Sequence, residues 1–206
     1  MNKRWIAIAA AAAIAPAFVP QALAQSAEKG NMIVRARALY LDPANKDSTG
    51  LNLNVNSKTF PEVDITYFLS PNLAAELILT YPQKHDVRSG SANIGTLKHL
   101  PPTLTLQYHF TGMGWRPYVG AGLNLTLFSS VKFASAVKTA LDPSVEKSSV
   151  GLAFNVGADV PMGDGWLLNF DVKKVQIRTD VSSFGTKVGS FKVDPLAVSV
   201  GFGKRF

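Results

Sequence analysis

Apolar and polar residues alternate with a period of two along most of this chain, and the alternation recurs in eight separate segments. That period sends successive side chains to opposite faces of a strand, so each segment predicts a β-strand with one apolar face and one mixed or polar face. In the first, Met32, Val34, Ala36, Ala38 and Tyr40 share one face while Ile33, Arg35, Arg37 and Leu39 share the other. The second sets Val63, Ile65, Tyr67 and Leu69 against Glu62, Asp64, Thr66 and Phe68. Segments near 73–81, 103–110, 119–127, 150–160, 168–175 and 196–206 follow the same rule, although the phase of the seventh blurs at Lys174 and Val175.

The links between segments alternate in length. Residues 70–72, 111–116 and 161–165 read as tight hairpin turns. Residues 42–58, 82–100, 129–147 and 180–190 read as long polar loops, with a short helical turn expected over 134–141. Short turns at one end and long loops at the other are the plan of outer-membrane barrels. The expected fold class is therefore all-β: an eight-stranded antiparallel transmembrane β-barrel with short periplasmic turns and long extracellular loops. A soluble barrel of lipocalin type also alternates, but its apolar face must point inward. Here the apolar face ends in Tyr40, Tyr67, Tyr81, Tyr108, Phe110, Trp166 and Phe206, as expected of aromatic girdles at two lipid interfaces.

Composition adds the address. The chain has 206 residues, 47% of them apolar, and no cysteine, which excludes a disulfide-stapled scaffold or a thiolate-held metal. Lys3 and Arg4 precede an apolar stretch from Trp5 to Val19, and Ala22-Leu23-Ala24 then offers a peptidase site. Residues 1–24 are expected to be a cleaved export signal and 25–206 a single barrel domain; an N-terminal anchor is the alternative, weakened by Pro16 and Pro20. The net charge of +7 is too scattered to point to nucleic acid.

Eight strands enclose a bore that side chains fill or that holds one slender ligand. Arg35, Arg37, Glu62, Asp64, Glu76, Asp171 and Lys173 fall at similar heights on the inward face, and unpaired charge there is costly, so a polar belt is expected to close the bore. The same residues would equally serve as mere packing. Above the belt the inward positions turn apolar at Leu39, Phe60, Ile78 and Phe128, a funnel suited to an apolar solute. Pro101 and Pro102 cannot complete a ladder, so they mark either a weakened wall that opens sideways or simply a strand end.

Three runs carry a family resemblance: Lys98-His99-Leu100-Pro101-Pro102-Thr103-Leu104, then Arg116-Pro117-Tyr118-Val119-Gly120-Ala121-Gly122-Leu123-Asn124, then Gly165-Trp166-Leu167-Leu168-Asn169 followed by Asp180. Together they resemble the OmpW/AlkL family of small outer-membrane proteins. The resemblance implies a Gram-negative outer-membrane channel, narrow and largely apolar, for passive uptake of small hydrophobic molecules, and it favours the lateral exit. Lys204 stands where the family usually has an aromatic, and Lys173 where it can carry a bulky one.

Other chemistries are thinner. His85-Asp86 with Ser89 holds the residue types of a hydrolase, but adjacent His and Asp side chains rarely face each other, so no enzyme activity is expected. His99 and His109 are too far apart in strand phase to join His85 on a metal, and neither metal nor cofactor is expected. Lys46, Lys58, Lys84, Arg88, Lys98, Lys132, Lys138 and Lys147 lie on or near the long loops, suited to lipopolysaccharide phosphates. They leave open a second reading, a surface receptor or adhesin displayed on a filled barrel. The expected partners are small hydrophobic solutes, outer-membrane lipid and lipopolysaccharide.

Overall fold

A computed structural model describes residues 30–206; the expected export signal lies outside the described residues. The chain runs β1 (Met32–Asp42), β2 (Lys46–Asp47), β3 (Leu53–Val55), β4 (Lys58–Phe68), β5 (Leu73–Leu79), β6 (Gln83–Ser89), β7 (Ala92–Leu100) and β8 (Thr103–His109). It continues through β9 (Arg116–Phe133), α1 (Ser135–Leu141), β10 (Pro143–Val145), β11 (Ser148–Gly163), β12 (Trp166–Val175), β13 (Arg178–Ser183), β14 (Thr186–Lys192) and β15 (Leu196–Arg205).

The barrel consists of β1, β4, β5, β8, β9, β11, β12 and β15, each antiparallel to its neighbours, and β15 returns to pair with β1. Closure matters physically because an open sheet edge in hydrocarbon would leave backbone N–H and C=O groups with no partner. Register follows the faces read from sequence. Arg35 lies opposite Asp64 on one side and Gly203 on the other, all turned inward, while Ala36 opposes Val63 and Phe202 on the outer surface. The apolar set is outside and the polar set inside, so the lipid-facing orientation holds. Tyr67, Tyr108, Phe110, Trp166 and Phe206 ring the end with the short turns, and Tyr40 and Tyr81 face outward at the other. In β12 the alternation stays regular through Val175, with Lys174 outward, so the blurred phase read there does not exist in the strand.

The short turns use left-handed backbone where a two-residue reversal demands it. Asp164 and Gly165 both have positive φ, 50° and 77°, between β11 and β12.

The long links differ from the polar loops expected. Most of their residues are strand: β3, β6 and β7 extend the sheet above β9, and β10, β13, β14 and β2 form a second sheet of four strands. Only the third link carries the expected helical turn, α1, whose residues are all solvent-facing or partly so. The two sheets meet over an apolar core built from Leu53, Val55, Val87, Leu97, Phe128 and Val181, joined by Ile177, Phe191 and Val193. Each strand contributes only one or two apolar residues, too few to register as periodicity, yet pairing brings them together into a folded cap. Asn45 ties the cap across loop one, donating to the Val55 carbonyl at 3.0 Å and accepting from the Val55 N–H at 2.9 Å.

Leu123 lies between the two girdles with 58% of its surface exposed. Leu123→Arg should lower the unfolding free energy in lipid vesicles by about 2–4 kcal/mol, the cost of a cation near the bilayer midplane, as read from the urea midpoint.

Candidate functional site

β1 threads the middle of the lumen with two guanidinium groups. Arg35 holds Asp159 in a bidentate pair at 2.6 and 3.0 Å and Asp64 at 2.7 Å. Arg37 meets Glu62 at 2.8 Å, Asp64 at 3.0 Å and Glu76 at 3.3 Å. Lys173 bonds both oxygens of Glu62, at 3.0 and 3.1 Å, and lies 3.6 Å from Asp171. All of these side chains are buried. Neutral groups satisfy several of the remaining lone pairs, although Asp64 Oδ2 and Asp171 Oδ1 accept no hydrogen bond. Thr105 and Gln107 donate to Glu76 at 3.0 and 2.6 Å, and the Tyr118 hydroxyl donates to Asp171 at 3.0 Å. Asn155 bonds both Glu76 and Asp171, at 3.3 and 3.1 Å.

Each of the seven belt residues read from sequence thus joins one network. Sequence reasoning missed two of its anchors, Asp159 and Tyr118. Asp159 has the right strand phase on β11, but nothing along the chain announces that its partner is Arg35, across the bore. Tyr118 falls between the turn read over 111–116 and the strand read from 119, whereas its ring fills the lumen, and a Cβ on the facing Gly157 would sit 2.4 Å from it. A glycine opposite a bulky inward residue is the signal that could have found it. The resulting plug closes the barrel's middle.

Directly above the plug is a narrow cavity of about 30 Å³, part of it open to solvent. Its walls are Leu39, Leu41, Phe60, Ile78, Pro101, Val175, Ile177, Pro195 and Ala197, and its floor presents Glu62, Thr103, Asn124 and Lys173. Three of the four funnel residues read from sequence, Leu39, Phe60 and Ile78, line it; Phe128 lies higher, in the core of the cap. The cap core shares Val175 and Ile177 with the cavity and roofs it.

One side of this chamber lacks a complete ladder. Pairing of β5 with β8 ends at Ile78 opposite Thr103 and resumes only above, where β6 meets β7 at Gln83 opposite His99. Pro82, Pro101 and Pro102 occupy the interval, and none has an N–H to donate. Thr80 and Pro101 border both the interval and the cavity.

The residues weighed for hydrolysis are not assembled. His85 turns inward, Asp86 lies on the opposite face of β6, and the Ser89 hydroxyl donates to the Leu51 carbonyl. His85 instead stacks on His99 with ring centres 4.7 Å apart. Burial pushes both imidazoles down, His99 to about 3, and the Lys58 ammonium adds to the effect on each; Asp86 pulls His85 the other way.

A closed antiparallel barrel with a lipid-suited exterior, aromatic girdles and an ion-paired lumen defines an integral outer-membrane β-barrel protein. A model of the OmpW family matches residues 28–206, and the chain belongs to that family. Outer membrane protein W of Vibrio cholerae is 31% identical over 217 residues, covering 98% of this chain and 97% of its own. Outer membrane protein AlkL of Ectopseudomonas oleovorans is 28% identical over 162 residues, covering 73% and 67% respectively. Among solved structures, the outer membrane protein OprG from Pseudomonas aeruginosa matches with a TM-score of 0.74 at 28% identity, over 86% of this chain and 96% of that one.

Two outcomes follow from the geometry. Arg35→Leu strands Asp159 as a buried anion and leaves Asp64 with Arg37 alone, and it should cost about 3–5 kcal/mol, the usual penalty for breaking one side of a buried pair; urea unfolding in vesicles measures it. In the cap, His85 and His99 are neutral when folded but charge in the unfolded chain below about pH 6.5. The unfolded chain then binds the extra protons, so cap stability is full above that pH and declines as the pH falls below it. Amide exchange in β6 and β7, corrected for intrinsic rate, should speed up below about pH 6.5, and the double variant His85→Leu with His99→Leu should flatten the dependence.

Proposed function

We propose that the barrel is a channel for passive uptake of small hydrophobic molecules. The observation that carries this reading is the apolar chamber between a charged plug and an apolar cap, bordered by an interval of wall without ladder bonds. A chamber walled by leucine, isoleucine, phenylalanine and proline suits an apolar solute, whereas ions and sugars would lose hydration without compensation. The plug denies such a solute a direct path to the periplasm, so it leaves sideways, between β5 and β8 beside Pro101 and Pro102, into the lipid. Among the described residues His85, Asp86 and Ser89 do not come together as a catalytic set, and the functional role assigned to the charges is closure.

We place the mature chain in the outer membrane after cleavage behind Ala24. Its loop lysines, Lys84 and Lys98 among them, face outward where phosphate groups of lipopolysaccharide lie.

Replacing Pro101 with Val and Pro102 with Thr restores donors to the wall. The double variant is expected to fold, as judged by heat-modifiable migration, and to take up a hydrophobic reporter more slowly than the native protein in cells. Unchanged uptake by the variant removes the lateral route. Equal uptake by cells with and without the native protein removes the channel altogether and leaves the display scaffold.

A further inference from the structure

Gln83, His85 and His99 form a buried polar island on the inward surface immediately above the cavity. In the Gln83 amide, Nε2 donates to the Tyr81 carbonyl at 2.9 Å and approaches the Thr80 hydroxyl at 3.4 Å. A flipped amide would set oxygen against the Tyr81 carbonyl, so the orientation is fixed by chemistry. The free atom is Oε1, a buried acceptor with no partner. His85 Nδ1 lies 3.0 Å from the Asn56 carbonyl, which can only accept. Nδ1 therefore carries the proton, and Nε2 is left as a bare lone pair, again buried and without a partner. His99 sits opposite Gln83 in register and stacks on His85, and its Nε2 is also buried without a partner.

Unmet polar atoms inside an apolar cap cost free energy unless a ligand supplies what they lack. Two of the three atoms are acceptors by assignment, so the missing group is a hydrogen-bond donor. A carboxylate is excluded because it would bring only more lone pairs. An ammonium is disfavoured by the neighbouring Lys58, whose Nζ donates to the Lys84 carbonyl at 3.1 Å. A neutral hydroxyl fits. The island is close enough to the chamber for one molecule to touch both: Gln83 is three residues beyond Thr80 and His99 two before Pro101, roughly 7–10 Å at about 3.3 Å per residue.

We propose that Gln83, His85 and His99 are a head-group subsite that selects uncharged amphiphiles carrying a terminal hydroxyl, whose apolar tail occupies the chamber below. This rests on reading the chamber as a solute site. It adds a chemical preference that a purely apolar funnel would not have, since a site built to bond a hydroxyl discriminates against the analogue without one.

The test compares 1-decanol with decane, which share a chain and differ in the donor. Labelled solute is followed into cells lacking the protein, carrying it, or carrying Gln83→Leu with His85→Leu. The double variant should reduce protein-dependent 1-decanol uptake about tenfold, the worth of one to two hydrogen bonds, and leave decane uptake unchanged. Equal loss of both solutes means the residues only shape the cap, and unchanged uptake of both means the subsite does not act; either overturns the inference while the channel stands. Should neither solute enter faster with the native protein than without it, the channel reading fails, and a binding measurement decides the subsite alone. In lipid nanodiscs containing the full native protein, imidazole nitrogen-15 resonances of His85 and His99 should shift with 1-decanol and not with decane. No shift with 1-decanol overturns the inference.

Discussion

A charge inside an eight-stranded barrel has no bulk solvent to retreat to, and every other feature of this lumen follows from that constraint. Lipid demands a closed barrel, and closing with eight strands leaves a bore narrow enough for side chains to fill. Once Arg35 and Arg37 stand on β1, they must be met by carboxylates from other staves. Asp64 and Glu62 arrive from β4, Glu76 from β5, Asp159 from β11, and Lys173 on β12 completes the set through Glu62. Such a network adds little net stability over an apolar filling of equal volume, because desolvation offsets most of its attraction. Its consequence is geometric: five staves are tied to one another through the centre, and the floor of the upper chamber is fixed in place.

The cap answers the same constraint from the other side. Apolar residues in the long links cannot face water without cost, and none of the links alone has enough of them to bury itself. Two sheets meeting face to face solve this by sharing one core, which reaches down to Val175 and Ile177 at the chamber wall. The chamber is what remains between two well-packed bodies with different chemistries, and its apolar wall belongs to both. Polar atoms held in the roof, at Gln83, His85 and His99, are exceptions within an otherwise apolar surface.

Strand faces were legible in the sequence because a period of two survives any tertiary context: Arg35 and Arg37 had to share a face with Leu39 wherever β1 went. The polar belt was legible as a set but not as pairs, since Arg35 and Asp159 are 124 residues apart and meet only when the barrel closes. Phe128 is buried on its strand, yet its height depends on how far β9 rises above the barrel, which no local pattern encodes. The cap was hidden for a related reason. Strands as short as Leu53–Val55 are stable only through their partners, and those partners lie in other links.

The interval in the wall shows how an incomplete ladder can persist beside lipid. Prolines from three separate stretches converge there: Pro61 in β4, Pro82 after β5, and Pro101 with Pro102 before β8. Side chains meet several of the carbonyls around the interval, and the Pro102 carbonyl also accepts from the Leu125 N–H at 3.0 Å. The Thr80 hydroxyl donates to the Pro61 carbonyl at 3.1 Å, and the Asn124 amide donates to those of Pro101 and Pro102 at 3.2 and 3.3 Å. These contacts tie Thr80 to β4 and the two prolines to β9, so β5 and β8 can part across the interval, where the ladder carries no bond, without breaking them. Such a wall is satisfied when shut and inexpensive to open, which is the combination that lateral release from the chamber requires. Where the ladder is complete, as between β9 and β11, parting the strands would break backbone bonds along their whole length.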